Sequence, residues 1–293
     1  KSVFENKGGS ISFYPDKNGA VPTAATHHRE VTEISVQQVK DFCKKHGITE
    51  NVFFISVFGL TLGKYNFRRD AVFTTIYHGR NDSRLENTVC MLVKTLPVYC
   101  RFEQKTTIQA YMTELSGQLL SSMANDIFPF SDICAKYGFN SDLTFAYQAE
   151  LSDDYPIGDT VARGHDLSLD MAKMPLLIQV REYNYEYVLT AEFRSDMYSD
   201  AFVDGMLDAY EAAMDSVLKN KYVSEVSIIS ENAVKKIAEF NDTACEYDRA
   251  KTISDRFAEM VQTIPDHTAV VFKDKKFTYK ELDEISDRLG KYI

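Results

Sequence analysis

Residues 52–65, VFFISVFGLTLGKY, and residues 70–81, DAVFTTIYHGRN, decide the reading of this chain. The first run is apolar almost all round. A helix from Thr49 to about Tyr65 with that composition has no face suited to water and is expected to be buried. In the second run, Ala71 to Tyr77 is rich in β-branched and aromatic residues, and His78-Gly79-Arg80-Asn81 is a turn signal, so a strand ends there. A buried helix feeding a strand points to an α/β architecture rather than an all-helical or all-β one.

The pattern continues on both sides. Upstream, Ser35 and Gln38 stand at capping-box spacing before the stripe Val36, Val39, Phe42 and Cys43, and Gly47 supplies the stop. The first 30 residues read as an irregular lead-in with room for one short strand. Downstream, Met91 to Phe102 is a strand candidate that Pro97 makes either an edge strand or a strand with a break. Thr106 and Gln109 suit a capping box for a helix from Thr107 to about Met123. Pro129 to Tyr137 reads as a short helix stopped by Gly138, and Leu143 to Gln148 as a strand. The polar, acidic run from Glu150 to Asp170 lacks periodicity, as functional or mobile loops do. Leu176 to Tyr183 and Tyr185 to Phe193 form a hairpin around Asn184. A long amphipathic helix covers Ser199 to Leu218, a short strand Glu225 to Ile229, and a helix Glu231 to Phe240. After a polar linker (241–252), residues 253–293 read as a helix, a hairpin and a final helix.

The 293 residues carry a formal net charge of -10, with 44% hydrophobic and 26% charged residues. This composition supports a packed core and excludes disorder. The acidic pI of 5.2 argues against a nucleic-acid partner and against an anionic membrane surface. No apolar run reaches the roughly 18 residues of a spanning helix. Lys1 opens the chain without a signal-peptide pattern, and it reads as a fragment of something longer. The five cysteines are odd in number and widely spaced, so a disulfide framework or zinc knuckle is not expected and the compartment reads as cytoplasmic. His27-His28 has no helical-spacing carboxylate partner, and neighbouring side chains diverge, so the pair reads as exposed loop histidines and no metal site is expected. No phosphate-binding Gly-rich loop and no nucleophile elbow is present. His78, at a strand end before a turn, is the best-placed histidine.

Several blocks in fixed order resemble the condensation domains of nonribosomal peptide synthetases. The helix 52–65 and the strand closing on Gly79-Arg80 are one. Val89-Cys90-Met91-Leu92-Val93-Lys94-Thr95-Leu96-Pro97-Val98 resembles the fifth motif of that family (I-G-x-F-V-N-T-L-P-L), with Cys90 for its Gly, Leu92 for its Phe and Lys94 for its Asn. Asn125 to Phe130 resembles the sixth (H-Q-D-x-P-F-E), retaining Pro129-Phe130 and placing Ser131 at the Glu. Ser141 to Phe145 stands thinly for the seventh. Phe240-Asn241-Asp242-Thr243 resembles the junction to an adenylation domain, and Phe277 to Leu282 its first motif (L-T-Y-x-E-L).

The resemblance implies a chloramphenicol-acetyltransferase-like α/β lobe over 1–240, a linker over 241–252 and the opening piece of an adenylation domain over 253–293. The intact family domain forms amides between thioesters carried on the phosphopantetheine arms of peptidyl carrier proteins, in a tunnel between two lobes. Its catalytic H-H-x-x-x-D-G lies in the N-terminal lobe. His27-His28-Arg29-Glu30-Val31-Thr32-Glu33 copies only its first two letters, in the wrong place. The chain therefore reads as the C-terminal lobe, inactive alone and without a catalytic residue of its own. The missing lobe, the rest of the adenylation domain and the carriers are its expected partners, and uncovered surface favours self-association. His78, Arg80, Asn81, Lys94 and Thr95 are the implied tunnel residues, and Pro129 and Phe130 are implied to be structural. A scaffold module without chemistry, or an epimerisation or cyclisation variant of the fold, stands as the alternative.

Overall fold

A computed structural model describes residues 12–80, 82–85, 87–138, 142–149, 154–163 and 170–293, and the chain divides into two compact units, Lys1–Ile237 and Ala238–Ile293. In chain order the first unit contains β1 (Ala24–Val31), α1 (Val36–His46), α2 (Glu50–Tyr65), β2 (Asp70–Tyr77), β3 (Lys94–Arg101), α3 (Ile108–Ala124), α4 (Phe130–Tyr137), β4 (Leu143–Gln148), β5 (Asp154–Ile157), β6 (Thr160–Arg163), β7 (Leu176–Tyr183), β8 (Glu186–Arg194) and α5 (Asp200–Lys219). Helix α6 (Glu231–Asn241) spans the division.

Six strands form one mixed sheet in the order β1-β8-β7-β4-β2-β3. Strand β4 lies parallel to β2 and β7, and the other pairs are antiparallel. Because side chains alternate, register sorts each strand into two faces. Phe73, Val98, Phe145, Ile178, Leu189 and Phe193 share the face that joins the core with the buried sides of α1, α2, α3 and α5. The other face carries Thr95, Ile76, Gln179, Thr190 and His28.

Helix α2 is the centre of that core. Twelve consecutive residues, Val52 to Gly63, are buried, as its all-round apolar sequence requires. Its glycine at 59 permits close approach: a Cβ there would stand 2.4 Å from Cys100 Sγ and 3.1 Å from the Tyr111 hydroxyl. The phenols packed around α2 find partners on it. Tyr111 donates to the Ser56 carbonyl at 2.9 Å and Tyr210 to the Phe54 carbonyl at 2.9 Å. At the helix start, Tyr147 and Tyr187 both donate to Glu50 Oε2, at 2.9 and 2.7 Å. Each bond removes the penalty of a buried, unpaired hydroxyl, about 1–3 kcal/mol.

Local signals hold at several ends. Ser35 and Gln38 form the capping box, and Gly47 takes the left-handed C-cap at φ 66°. Pro97 sits on β3, which is an edge strand. The β7–β8 turn uses Asn184 and Tyr185, both at positive φ (51° and 63°), the conformation of a tight two-residue hairpin turn. Other expectations give way. The one strand allowed for the lead-in is present but longer than expected: β1, eight residues at the sheet edge, pairs along its whole length to β8. The cap of α3 is Thr107, one residue later than expected. Residues 225–229 are not a strand: a 3-10 turn covers Val223–Glu225, and Val226 is buried by its contact with the core rather than by sheet pairing. The aperiodic run after Gln148 contains a short hairpin of its own, β5 with β6, too brief for its alternation to show.

The second unit holds α7 (Ile253–Thr263), a two-stranded hairpin of β9 (Thr268–Phe272) and β10 (Lys275–Thr278), and α8 (Tyr279–Tyr292). Thr252 and Thr278 each start a helix with a complete capping box, yet neither helix has a buried residue.

Burial raises Tyr65, Tyr111, Tyr147, Tyr187, Tyr198 and Tyr210 above the usual phenol range, and pushes the Cys43 and Cys100 thiols up to about 12. Unfolded, these groups release protons near pH ~8.5 (thiol) and ~10 (phenol), so above those values the unfolded chain binds fewer protons than the folded one. Stability is therefore fully present at neutral pH and falls as pH rises past about 9. Melting temperatures from circular dichroism are expected to be flat near neutrality and to drop steadily on the alkaline side.

Candidate functional site

Four segments meet where β2 ends and β3 begins: Tyr77, the turn His78-Gly79-Arg80, Lys94, and the α3–α4 connection at Asp126. Gly79 adopts φ 70°, and a Cβ on it would lie 2.0 Å from the Leu92 carbonyl oxygen. Both the backbone conformation and the close approach therefore demand glycine. The Arg80 amide donates to His78 Nδ1 at 3.0 Å, which closes the turn and occupies one ring nitrogen. The Arg80 guanidinium donates to the carbonyls of Leu85, Thr88 (2.9 Å) and Cys90 (3.3 Å). It makes no ion pair among the described residues. It holds the connection to β3 by charge-assisted bonds, stronger than neutral ones.

Lys94 and Tyr77 are direct cross-strand partners. Lys94 Nζ reaches Asp126 Oδ1 at 3.0 Å and donates to its carbonyl oxygen at 2.9 Å. The lysine at the fifth-motif position is thus tied to the block resembling the sixth motif. Tyr77 is 4% exposed, and its hydroxyl has no hydrogen-bond partner among the described residues. Burial, reinforced by the Asp126 carboxylate, raises its pKa. Apolar side chains flank the cluster, with Val89, Met91, Val93, Ile127 and Phe128 all exposed.

The sequence candidates divide between the turn and the two faces of β3. Lys94 lies on the helix-covered side of the sheet. Thr95, its neighbour, lies on the opposite face beside Ile76, by strand alternation. His78 and Arg80 belong to the turn, and Asn81 lies outside the described residues. Pro129 is the N-cap of α4, one position before the first helical turn, and Phe130 opens that helix half-buried. Sequence reasoning missed Tyr77 and Asp126 as site members. Asp126 stood within a quoted motif block, and its distance from Lys94 in the chain gave no sign of their contact.

His27 and His28 are not in a loop. They sit on β1 with side chains on opposite faces. His27 lies 3.2 Å from Asp200 and 3.1 Å from Asp204 on α5, while His28 Nδ1 meets the Thr190 hydroxyl at 3.1 Å. Alternation, foreseen for any strand, separates them; the strand itself was hidden by its polar composition. Among the described residues no helix is long and apolar enough to cross a membrane.

A family model described as "Condensation domain" matches residues 3–238. Gramicidin S synthase 2 of Brevibacillus brevis is 26% identical over 258 residues, covering 84% of this chain and 6% of that protein. Bacitracin synthase 1 of Bacillus licheniformis is 25% identical over 266 residues, covering 87% of this chain and 5% of that protein. The chain thus spans less than a tenth of these relatives' length. Among solved structures, a four-domain nonribosomal peptide synthetase bound to AMP and glycine superposes with a TM-score of 0.73 at 15% identity, over 99% of this chain and 24% of that one. The first condensation domain of the calcium-dependent antibiotic synthetase, in complex with a substrate analogue, gives a TM-score of 0.59 at 12% identity, over 76% of this chain and 50% of that one.

Two outcomes test the geometry. Arg80→Ala is expected to speed tryptic cleavage after Arg84 by about tenfold or more while global stability falls by about 1–2 kcal/mol, because the clamp is local. A double-mutant cycle of Lys94→Met and Asp126→Asn, read by urea unfolding, is expected to give a coupling of about 0.5–1 kcal/mol, the scale of a partly exposed pair.

Proposed function

The chain belongs to the condensation-domain family, and from that premise we propose that it is the C-terminal lobe of an amide-forming domain in a nonribosomal peptide synthetase. The observation that carries the proposal is the six-stranded sheet whose one face packs against α1, α2, α3 and α5, overlaying half of a solved condensation domain. A sheet packed by helices on one face leaves its other face able to meet a second surface.

In this reading an acceptor amine on one carrier-borne phosphopantetheine attacks the thioester carbonyl carbon on the other. The C–N bond forms, the C–S bond breaks, and the amine proton leaves to a base while the thiol is released. The general base comes from the partner lobe. This lobe supplies the opposite wall. The turn at His78-Gly79-Arg80 holds the adjoining segment by the Arg80 clamp, Lys94 is oriented by Asp126, and Thr95 presents its hydroxyl on the far face of β3. The hairpin β5–β6 exposes Ile157 and Val161 and is suited to pack against the second lobe.

The second unit is read as the opening of an adenylation domain. Helices α7 and α8 are amphipathic yet bury no residue fully within the unit, which supports an association with further structure. The same exposed apolar surface leads us to expect self-association of the isolated chain. A partner-recruiting scaffold without chemistry, or an epimerisation or cyclisation variant, is the second reading; the Lys94–Asp126 pair and the substitution at Cys90 are what favour it.

The test uses the intact synthetase. Thr95→Ala and Lys94→Ala are each expected to lower amide formation on loaded carriers by about tenfold or more while thermal stability changes little. Loss of stability alone would contradict the assigned wall. The isolated chain, incubated with both loaded carriers, is expected to give no peptide product.

A further inference from the structure

At the other end of β2 from the site, a hollow of about 210 Å³ opens between the C-terminus of α2 and the end of β3. Lys64, Phe67, Arg68, Arg69, Gln104 and Ser224 line it. Its floor is rigid: Phe102 is buried, and its ring leaves no room for a side chain at position 63, where a Cβ would stand 2.4 Å away.

Three cations around one small hollow are unexpected in a chain of net charge -10. One of them is answered, since Arg68 Nε donates to Asp70 Oδ1 at 3.0 Å. Neither the Lys64 ammonium nor the Arg69 guanidinium has a hydrogen bond or ion pair among the described residues. Lys64 is half-buried, and desolvation lowers its pKa. The negative end of α2 does not supply that charge. Its last-turn carbonyls are already taken: Leu62 by the Asn66 amide (3.2 Å) and side chain (2.8 Å), Gly63 by the Arg68 amide (2.8 Å), and Lys64 by the Phe67 amide (3.0 Å). Phe67 is held in the left-handed region at φ 55° with its ring 99% exposed. A bulky residue in that conformation costs about 1–3 kcal/mol, and such strain concentrates at ligand sites.

We propose that this hollow is an oxyanion site for a phosphate or phosphomonoester group. Two unanswered cations match a dianion better than a carboxylate, and arginine matches phosphate geometry with paired N–H donors. The Gln104 amide and Ser224 hydroxyl add neutral donors. The volume is below the roughly 300–1,000 Å³ of sites that enclose larger ligands, which restricts the enclosed part to the phosphoryl group. Phe67 at the rim offers a face to whatever the phosphate is esterified to. This site is independent of the amide-forming reading and stands or falls without it.

The test is titration calorimetry of the full chain at neutral pH with inorganic phosphate, and separately with phenyl phosphate, each against sodium chloride of equal ionic strength. Saturable one-to-one binding is expected, weakened by about tenfold or more in Arg69→Met and in Lys64→Met, and unchanged in Lys235→Met, a remote exposed lysine. Arg69 is exposed, so its variant is expected to fold even where the half-buried Lys64→Met does not. Binding of phenyl phosphate in preference to the free ion identifies an ester as the source, and the reverse identifies inorganic phosphate; both support the site. A response no different from chloride, or binding retained in Arg69→Met, overturns it.

Discussion

The fold depends on surrounding α2 completely. A helix that is apolar on every side cannot lie on a surface, so sheet and neighbouring helices must enclose it. On Phe58, Phe145 of the sheet stacks and Phe73 meets it edge-on, each with its ring centroid 5.1 Å away, and Tyr210 of α5 closes the same cluster at 5.6 Å. The polar backbone of so deeply buried a helix then becomes an anchor for phenols. Tyr111 and Tyr210 approach from different helices and settle on its carbonyls, while Tyr147 and Tyr187 settle on its first-turn Glu50. Hydrophobic enclosure brings the elements together, and these bonds fix their orientation.

Placing α2 in this way fixes both ends of β2, which runs directly against it. One end carries the His78-Gly79-Arg80 turn and the Lys94–Asp126 pair; the other carries the cationic hollow beside Phe67. The two ends differ in how their charges are resolved. At the first, Arg80 donates to backbone carbonyls and Lys94 is oriented by a carboxylate. At the second, the Lys64 and Arg69 side chains have no partner among the described residues.

A comparable contrast runs along the first edge of the sheet. Strand β1 offers His27 and Arg29 to the acidic side of α5, where Asp200, Asp204 and Asp208 receive them. This ties an edge strand of polar composition to the body of the lobe and leaves its outer face, with His28, uncovered. Edge strands with charged residues resist unwanted pairing, consistent with this arrangement.

The sequence alone determined the buried helix, the strand that follows it, the caps at Ser35 and Gly47, the edge position of β3 and the hairpin at Asn184. Each of these rests on periodicity or on the backbone needs of single residues, which are local properties. The blocks at 89–98 and 125–130 were legible as motifs, but their contact was not, because Lys94 and Asp126 meet only once α3 returns the chain to the sheet. Strand β1 was hidden because its residues are polar on both sides, so pairing to β8 rather than hydrophobicity makes it a strand. The division of Lys94 and Thr95 between two faces, the unpaired hydroxyl of Tyr77 and the hollow around Lys64 were decided by tertiary structure alone, since burial and the presence or absence of a counter-charge are properties of the folded neighbourhood and not of a residue's place in the chain.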